Sequence, residues 1–550
     1  MKRLITLFLF LCGCNPNLII GQSDVDQFDV YEVTLSTATV GNNYLNMNSF
    51  YMTSPGADST FVTITGDSGE ADGYSIRIPA FWAGGQVWRF RFRPTLIGRY
   101  QYDVESTDSA LDDDAGTIRC LVEDNDYTYG RRLQVGNNGT RGFYIFEDGR
   151  PAWILSDTGW RDYSDAEHSD AEYDLKIQLR DSTGFNAINW RTGQINSTSR
   201  TLSGETPFEL SASVYDPDDL NASWWDLFDA RWDTLWAHKM IPFMGTSFAG
   251  DGNFFTNWTD TQIERWIFYL IARYGPYPVV WMPVIEYNED GVLADWQKMH
   301  DFSDDADPWD NPVTGHPLSD GTSDPPVDCS TYLNVCGDQF FGTPEAHYDE
   351  SSTWRDAENN PFINLEHGYD EGDGTGSAND QVPLDVIKDQ LALASFSAGV
   401  NYGHRNVWWG NVSTLAQLRD SLTIAVGVTY VTNLAKFMRG ETGRTGKNPL
   451  FTDWDSHSKL TSARFQAKKN GKVHVIFSVS GTSAFNIDLS HFPDGDIAGE
   501  WYRVRGGTWN GELSISNSAS QSVTPPEDVS ILLVKKSRSK GVSIITVTGN

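Results

Sequence analysis

The sequence predicts a multidomain protein: a central (β/α)8 TIM-type barrel flanked by an N-terminal and a C-terminal β-sandwich. Three observations carry that expectation. The 550 residues exceed what a single compact core of roughly 100–200 residues organises. The middle of the chain alternates short apolar strands with helical stretches, the mark of βαβ units and a parallel sheet. The stretches on either side carry only short alternating strands separated by Gly, Asp and Ser turns.

The chain begins MKRLITLFLFLCGC, a basic start at Lys2 and Arg3 followed by an apolar run through Leu11. That pattern reads as an export signal over 1–21 and places the protein outside the cytoplasm. Two processing routes stay open. Leu11-Cys12-Gly13-Cys14 resembles a bacterial lipobox that would leave Cys14 lipidated, whereas ordinary cleavage would fall near Gly21-Gln22. The expected product is a secreted protein or a cell-envelope lipoprotein that touches a membrane only through a lipid anchor.

From 24 to 124 the strands VYEVTLS, FVTITG, YSIRIPAFW, VWRFRFRP and YQYDVES predict the first sandwich. The barrel is expected over 130–440. A hairpin in RGFYIFEDGRPAW leads to the buried strand ILSDT. The strands FNAINW, IPFMG, VVWMPVIE, NPVTGHP, QFFGTP, PFINLE and AGVNYGH follow, with helices at DAEYDLKIQLRDSTG, WWDLFDARWDTLWAHKM, TQIERWIFYLIARYG and LRDSLTIAVGVTYVTNLAKFM. Between 288 and 360 loops are expected to dominate. Over 455–540 the strands ARFQAKKN, KVHVIFSVS, AFNIDLS, EWYRVRGG and SILLVKK predict the second sandwich.

An apolar fraction of 39% with 13% aromatic residues is ample for such cores, and no interior stretch approaches the ~20 apolar residues of a membrane span. With 41 Lys and Arg against 74 Asp and Glu, the net charge of −33 repels a phosphate backbone, so nucleic acid is not an expected partner. Acid-rich loops such as DSALDDDAG read as solvated surface. Cys329 and Cys336 are close enough to form a small-loop disulfide in an oxidising compartment, while Cys120 reads as a buried structural thiol. No zinc spacing, P-loop, GxGxxG turn or GxSxG elbow appears, so no cofactor or metal is expected. A monomer is expected.

On a parallel barrel, functional residues gather where strands end, because the following loops form the open face. Two acids close apolar strands: Glu286 in VVWMPVIE and Glu366 in PFINLE. A carboxylate at the end of a buried strand costs several kcal/mol unless paired or solvated. A pair of them matches glycosidic cleavage, in which one carboxyl protonates the leaving oxygen and the other stabilises or attacks the anomeric carbon. Ionised Glu366 would hold the proton on Glu286 by like-charge repulsion. Asp157, Trp160, Asn189, Arg191, Tyr287, His316, His404, Trp408 and Trp409 also stand at strand ends. Rings against sugar C–H faces and polar groups against hydroxyls make them candidate substrate contacts.

Together, GRPAWILSDTGW, DSTGFNAINWR, ARYGPYPVVWMPVIE, NPVTGHP, NPFINLEHGYD and SAGVNYGHRNVWW resemble the apiosidase-like glycoside hydrolases over about 140–438. The resemblance implies catalytic acids at Glu286 and Glu366, a substrate contact at Asp157 and retention of configuration. In that family the first acid is often an Asp after paired glycines; here Glu286 follows Val284-Ile285. The flanking regions resemble an Ig-like module and a module named for collagen binding. The expected activity is cleavage of a glycosidic bond in a plant or algal polysaccharide. Two rivals stay open: a non-catalytic carbohydrate-binding or adhesion protein on a degenerate barrel, and a polysaccharide lyase using Tyr287 and His316.

Overall fold

A curled, all-parallel sheet of seven strands occupies the middle of the chain in the computed structural model. The model describes residues 23–536 except 48–59, 123–130, 138–141, 166–167, 193–200, 212–213, 248–257, 288–292, 318–334, 340–342, 359, 367, 371–379, 382, 405–414, 424, 443–455, 470–472, 493–496 and 514. In chain order the strands are β1 (Ile154–Thr158), β2 (Ala187–Arg191), β3 (Ile241–Gly245), β4 (Val280–Met282), β5 (Cys336–Gln339), β6 (Phe362–Glu366) and β7 (Gly399–Tyr402). Their spatial order is β4-β3-β2-β1-β7-β6-β5. The helices are α1 (Asp170–Ser182), α2 (Ala222–Ala237), α3 (Asp260–Tyr274), α4 (Leu293–Ala306), α5 (Pro344–Glu358), α6 (Pro383–Leu393), α7 (Leu415–Thr423) and α8 (Val426–Met438). The result is a half-barrel of β/α type flanked by smaller sheet domains.

Between the edge strands lies the segment 313–316. Single parallel bridges tie it to the β4 side (Trp281 to Val313, Ile285 to His316) and to residue 335 (Thr314 to Val335). Packing there is close: a Cβ on Gly337 would lie 2.0 Å from the Gly315 carbonyl oxygen and 2.6 Å from Thr314 Oγ1, so β5 approaches this segment only because residue 337 is glycine. NPVTGHP, expected as a strand, thus forms bridges only. The strand expected at QFFGTP is instead Cys336–Gln339, ending where the expected one begins.

Strand alternation sorts the side chains into two layers. Ile154, Ala187, Ile241, Phe243, Val280, Met282, Ile363 and Leu365 share the interior cluster. Leu155, Ile188, Trp190, Met244, Trp281, Phe362 and Val400 belong to the larger cluster formed with the helices. The hairpin of Leu133–Asn137 with Gly142–Phe146 adds Leu133, Tyr144 and Phe146 to the interior cluster. Residues at the starts of strands join the same cluster, so the hairpin covers the end of the barrel opposite the strand-end loops.

Local signals explain the helix starts. Ser169 and Glu172 form a capping box at α1, and Thr259 and Gln262 form one at α3. Two further expectations need correcting. The single helix read over LRDSLTIAVGVTYVTNLAKFM is divided into α7 and α8, with Ala425 in non-helical backbone at ψ 126°. The stretch read as loops contains α4 and α5; α4 buries Trp296, Met299 and Phe302 within an otherwise polar sequence, which obscures its periodicity.

The N-terminal region forms a five-stranded sheet (Ser23–Asp26, Ala115–Leu121, Gly98–Ser106, Thr60–Gly69, Ser75–Pro79, in spatial order) and a three-stranded one (Tyr31–Thr34, Trp88–Phe92, Phe81–Trp82). Cys120 is buried in the core there, and burial pushes its thiol up to about 12. Rings pack this region onto α3: Tyr44 and Phe81 on Tyr269, and Phe61 on Phe268. An ion cluster sits at the seam. Arg91 donates to Asp229 of α2 at 2.5 Å and to the Arg273 carbonyl at 2.9 Å, while Arg273 donates to Asp229 at 2.7 Å. The C-terminal region is a six-stranded antiparallel sheet (Ser456–Thr461, Arg464–Lys469, Val473–Ser478, Ser530–Lys536, Ile497–Arg503, Thr508–Leu513) with a small pair, Phe485–Ile487 and Gln521–Val523. It meets α5 through Tyr348 against Phe465 (ring centroids 4.9 Å apart) and α8 through Phe437 against Tyr502 (5.3 Å). Among the described residues no helix is long and apolar enough to cross a membrane.

Burial would raise the Asp229 carboxyl, but Arg273 and Arg91 overcome it and hold the group well below the usual carboxylate range. A depressed folded-state pKa contributes stability that is present above about pH 4 and is lost as the pH falls further. Asp229→Ala is therefore expected to cost about 3–5 kcal/mol by removing the acid that two buried guanidiniums share and leaving them only the more exposed Glu32 and Asp226, and to flatten the acid limb of the stability profile. Urea melts of both proteins between pH 3 and 7 check this; identical midpoints throughout would refute it.

Candidate active site

β6 ends at Glu366, which is 7% exposed. Its carboxylate accepts hydrogen bonds from two side chains and has a third alongside. The Trp160 indole Nε1 donates to Oε2 at 3.2 Å, His316 Nε2 lies 3.4 Å from the same oxygen, and the Tyr369 hydroxyl donates to Oε1. Burial, then the Glu366 charge and this hydrogen bond, push the Tyr369 phenol well above its ordinary value, with Glu286 adding to the effect. Tyr369 therefore keeps its proton and remains a donor. Trp160 and His316 meet edge to face with centroids 5.0 Å apart.

Glu286 follows β4 and is half-buried. Its backbone is left-handed, φ 58°, a conformation that costs a non-glycine residue roughly 1–3 kcal/mol and concentrates at functional sites. Its N–H donates to the His316 carbonyl at 2.6 Å, and Gln339 Nε2 donates to its Oε1 at 3.4 Å. Gln339 is paired with Glu366 in the β5–β6 register. The two glutamates are thus linked twice: through Gln339, whose side chain meets the Glu286 carboxylate and whose backbone lies beside Glu366, and through His316, whose main chain meets Glu286 and whose ring meets Glu366.

Alternation alone would turn both acids the wrong way. Leu365 and Ile285 point into the interior cluster, so Glu366 and Glu286 would face the helix layer. The left-handed turn redirects Glu286. A register slip between Asp338 and Gln339, which skips Leu365, frees the end of β6; bulges of this kind re-aim side chains beside active sites.

Other expected site residues fall in different places. Asn189 lies within the barrel below the acids: it accepts from Ser156 at 2.8 Å and donates to the Leu365 carbonyl at 2.5 Å. Arg191 Nε donates to the Trp160 carbonyl at 2.9 Å and so supports that loop. Tyr287 stacks on Trp296 (centroids 4.7 Å apart) and His404 is buried. Asp157 is not brought to the carboxylates. It is 1% exposed and faces the helix layer, where Arg180 of α1 grips it at 2.9 and 3.0 Å and Lys176 lies 3.6 Å away. Trp408, Trp409, Cys14 and Cys329 lie outside the described residues; Cys336 is buried at the start of β5.

Sequence reading missed Gln339 and Tyr369. Tyr369 follows Glu366 by three residues and could have been suspected from proximity, but Gln339 carries no such signal. A groove of about 230 Å³ between α3 and α4, floored by Ile263, Ile267, Met299 and Phe302, is on the outer helix layer and contains neither acid. Among the described residues no three His, Cys, Asp or Glu side chains group to hold a metal ion.

Residues 138–443 match the apiosidase-like catalytic-domain family, and residues 24–107 match a domain of unknown function, DUF5060. No curated protein matches the chain. A proposed glycoside hydrolase from Bacteroides vulgatus aligns over 94% of this chain and 100% of its own, with TM-score 0.72 and 15% identity. A family 5 glycoside hydrolase from the same species aligns over 74% and 94%, with TM-score 0.57 and 17% identity. At such identities the likeness is one of fold.

Because Asp157 neutralises buried cations, its removal should show up in stability. Asp157→Ala is expected to cost about 3–5 kcal/mol, readable as a lowered Tm; an unchanged Tm would contradict the assigned ion pair.

Proposed function

The chain belongs to the apiosidase-like family, whose members are carbohydrate-acting hydrolases, and on that premise we propose that it is a retaining glycoside hydrolase with Glu286 as general acid/base and Glu366 as nucleophile. The observation that carries this reading is that Gln339 and His316 each link the two glutamates at one end of the parallel sheet: Gln339 reaches the Glu286 carboxylate from the strand position beside Glu366, and His316 meets Glu286 through its carbonyl and Glu366 through its ring. In the first step Glu286 gives its proton to the glycosidic oxygen while Glu366 attacks the anomeric carbon, releasing the aglycone and leaving a glycosyl-enzyme ester. In the second step Glu286 takes a proton from water, and the water oxygen displaces Glu366. Trp160 and Tyr369 hold the two oxygens of Glu366 in the attacking orientation. The donors on Glu366 are the neutral side chains of Trp160 and Tyr369 rather than Arg or Lys, which favours chemistry over the binding-protein rival, where a cation would cancel the charge.

The proposal has a structural part. The bridges through 313–316 supply an eighth member, making a closed (β/α)8 ring with Glu286 after its fourth member and Glu366 at the end of its seventh. The divisions 24–124, 130–440 and 455–540, the first Ig-like and the last resembling the module named for collagen binding, are supported by the separate sheets at either end. The substrate class is a plant or algal polysaccharide or an oligosaccharide from one. The apolar start before residue 22 supports export, with Cys14 as the lipidation site, and the protein acts as a monomer.

Glu286→Gln is expected to lower kcat by about 10²–10⁴-fold, the usual worth of general acid–base catalysis, and Glu366→Gln to abolish turnover, both with unchanged melting. Pectic and algal oligosaccharides or aryl glycosides serve as substrates, and proton NMR of the first-formed anomer reports retention. Near-normal rates in both variants would sink the catalytic pair; an inverted first product would overturn the nucleophilic role.

A further inference from the structure

Glu286 stands on a turn, after a strand of only three residues, in a backbone conformation that its own type disfavours. Something outside that turn must aim its side chain. The register slip in β5–β6 puts Gln339 beside Glu366 rather than beside Leu365, and Gln339 is itself 5% exposed. From there its amide reaches the Oε1 of Glu286. We infer that Gln339 is a positioning residue, an amide strut that sets the distance and orientation of Glu286 relative to Glu366.

Resting on the catalytic reading above, the inference has a specific chemical consequence. A glutamine amide cannot titrate, so the strut persists through both halves of the reaction, while Glu286 loses and regains its proton. An N–H directed at Oε1 favours the ionised form of Glu286, opposing the field of Glu366 across the site. Among the described residues, the other titratable groups placed against the pair are Tyr369, which remains protonated, and His316 against Glu366. Gln339 thereby lowers the pH at which Glu286 gives up its proton and eases its passage from acid to base.

The test uses the full chain and any aryl glycoside or pectic oligosaccharide that the wild type turns over. Gln339→Leu keeps bulk and removes the donor; Gln339→Glu keeps length and adds a carboxyl. Gln339→Leu is expected to lower kcat about 10–100-fold, the scale of a misplaced catalytic group, with KM within about twofold and the basic limb of the kcat/KM profile moved to higher pH. Gln339→Glu should move that limb further in the same direction. A purely structural glutamine would change Tm and leave the limb in place, which would overturn the inference, as would wild-type kcat in Gln339→Leu. If Glu286→Gln is inactive while both Gln339 variants match the wild type, only the strut fails; if Glu286→Gln is fully active, the catalytic reading itself fails.

Discussion

A parallel sheet buried on both faces leaves each side chain only two destinations, the interior or the helix layer, and neither contains water to satisfy a polar group. Much of this barrel follows from that constraint. Ser156, Asn189 and the Leu365 carbonyl form a hydrogen-bonded set inside. Asp157, one residue from Ser156, faces the other way and meets a guanidinium. Asp338 likewise accepts from Ser351 of α5 at 3.1 Å. These polar residues within strands are matched on the side to which alternation sends them.

Chemistry requires a departure from that order. A pair of acids following the alternation would end in the helix layer, each seeking a cation, as Asp157 does. The left-handed backbone of Glu286 and the slip beside Gln339 both occur where strands terminate, the one place where pairing can be broken without orphaning interior hydrogen bonds. The strain at Glu286 is offset by its short N–H bond to the His316 carbonyl and is small beside the burial energy of the surrounding core.

The flanking sheets bear on this geometry from outside. The N-terminal one grips α2 and α3 through the Arg91–Asp229–Arg273 cluster and a set of edge-to-face rings. The C-terminal one holds α5 and α8. Helices so held cannot shift freely against β4 and β5, the strands that carry the turn to Glu286 and the Gln339 amide.

Local patterns in the sequence were enough to determine the parallel half-barrel, the flanking sheets and Glu366 at the end of its strand, because apolar periodicity, capping residues and the polar terminus of an apolar run are properties of neighbouring residues; the strand expected to run to Glu286 stops at Met282 and leaves that acid on a turn. The helices α4 and α5 were hidden because their buried faces are narrow and their remaining residues are acidic and polar. Asp157 was read as a contact from its position along the strand and from the family resemblance, without counting which face it occupies. Whether Glu286 and Glu366 turn toward each other, and that Gln339 and His316 join them, was decided only in three dimensions. A positive φ and a one-residue slip are imposed by strands distant in sequence, and no local pattern encodes them.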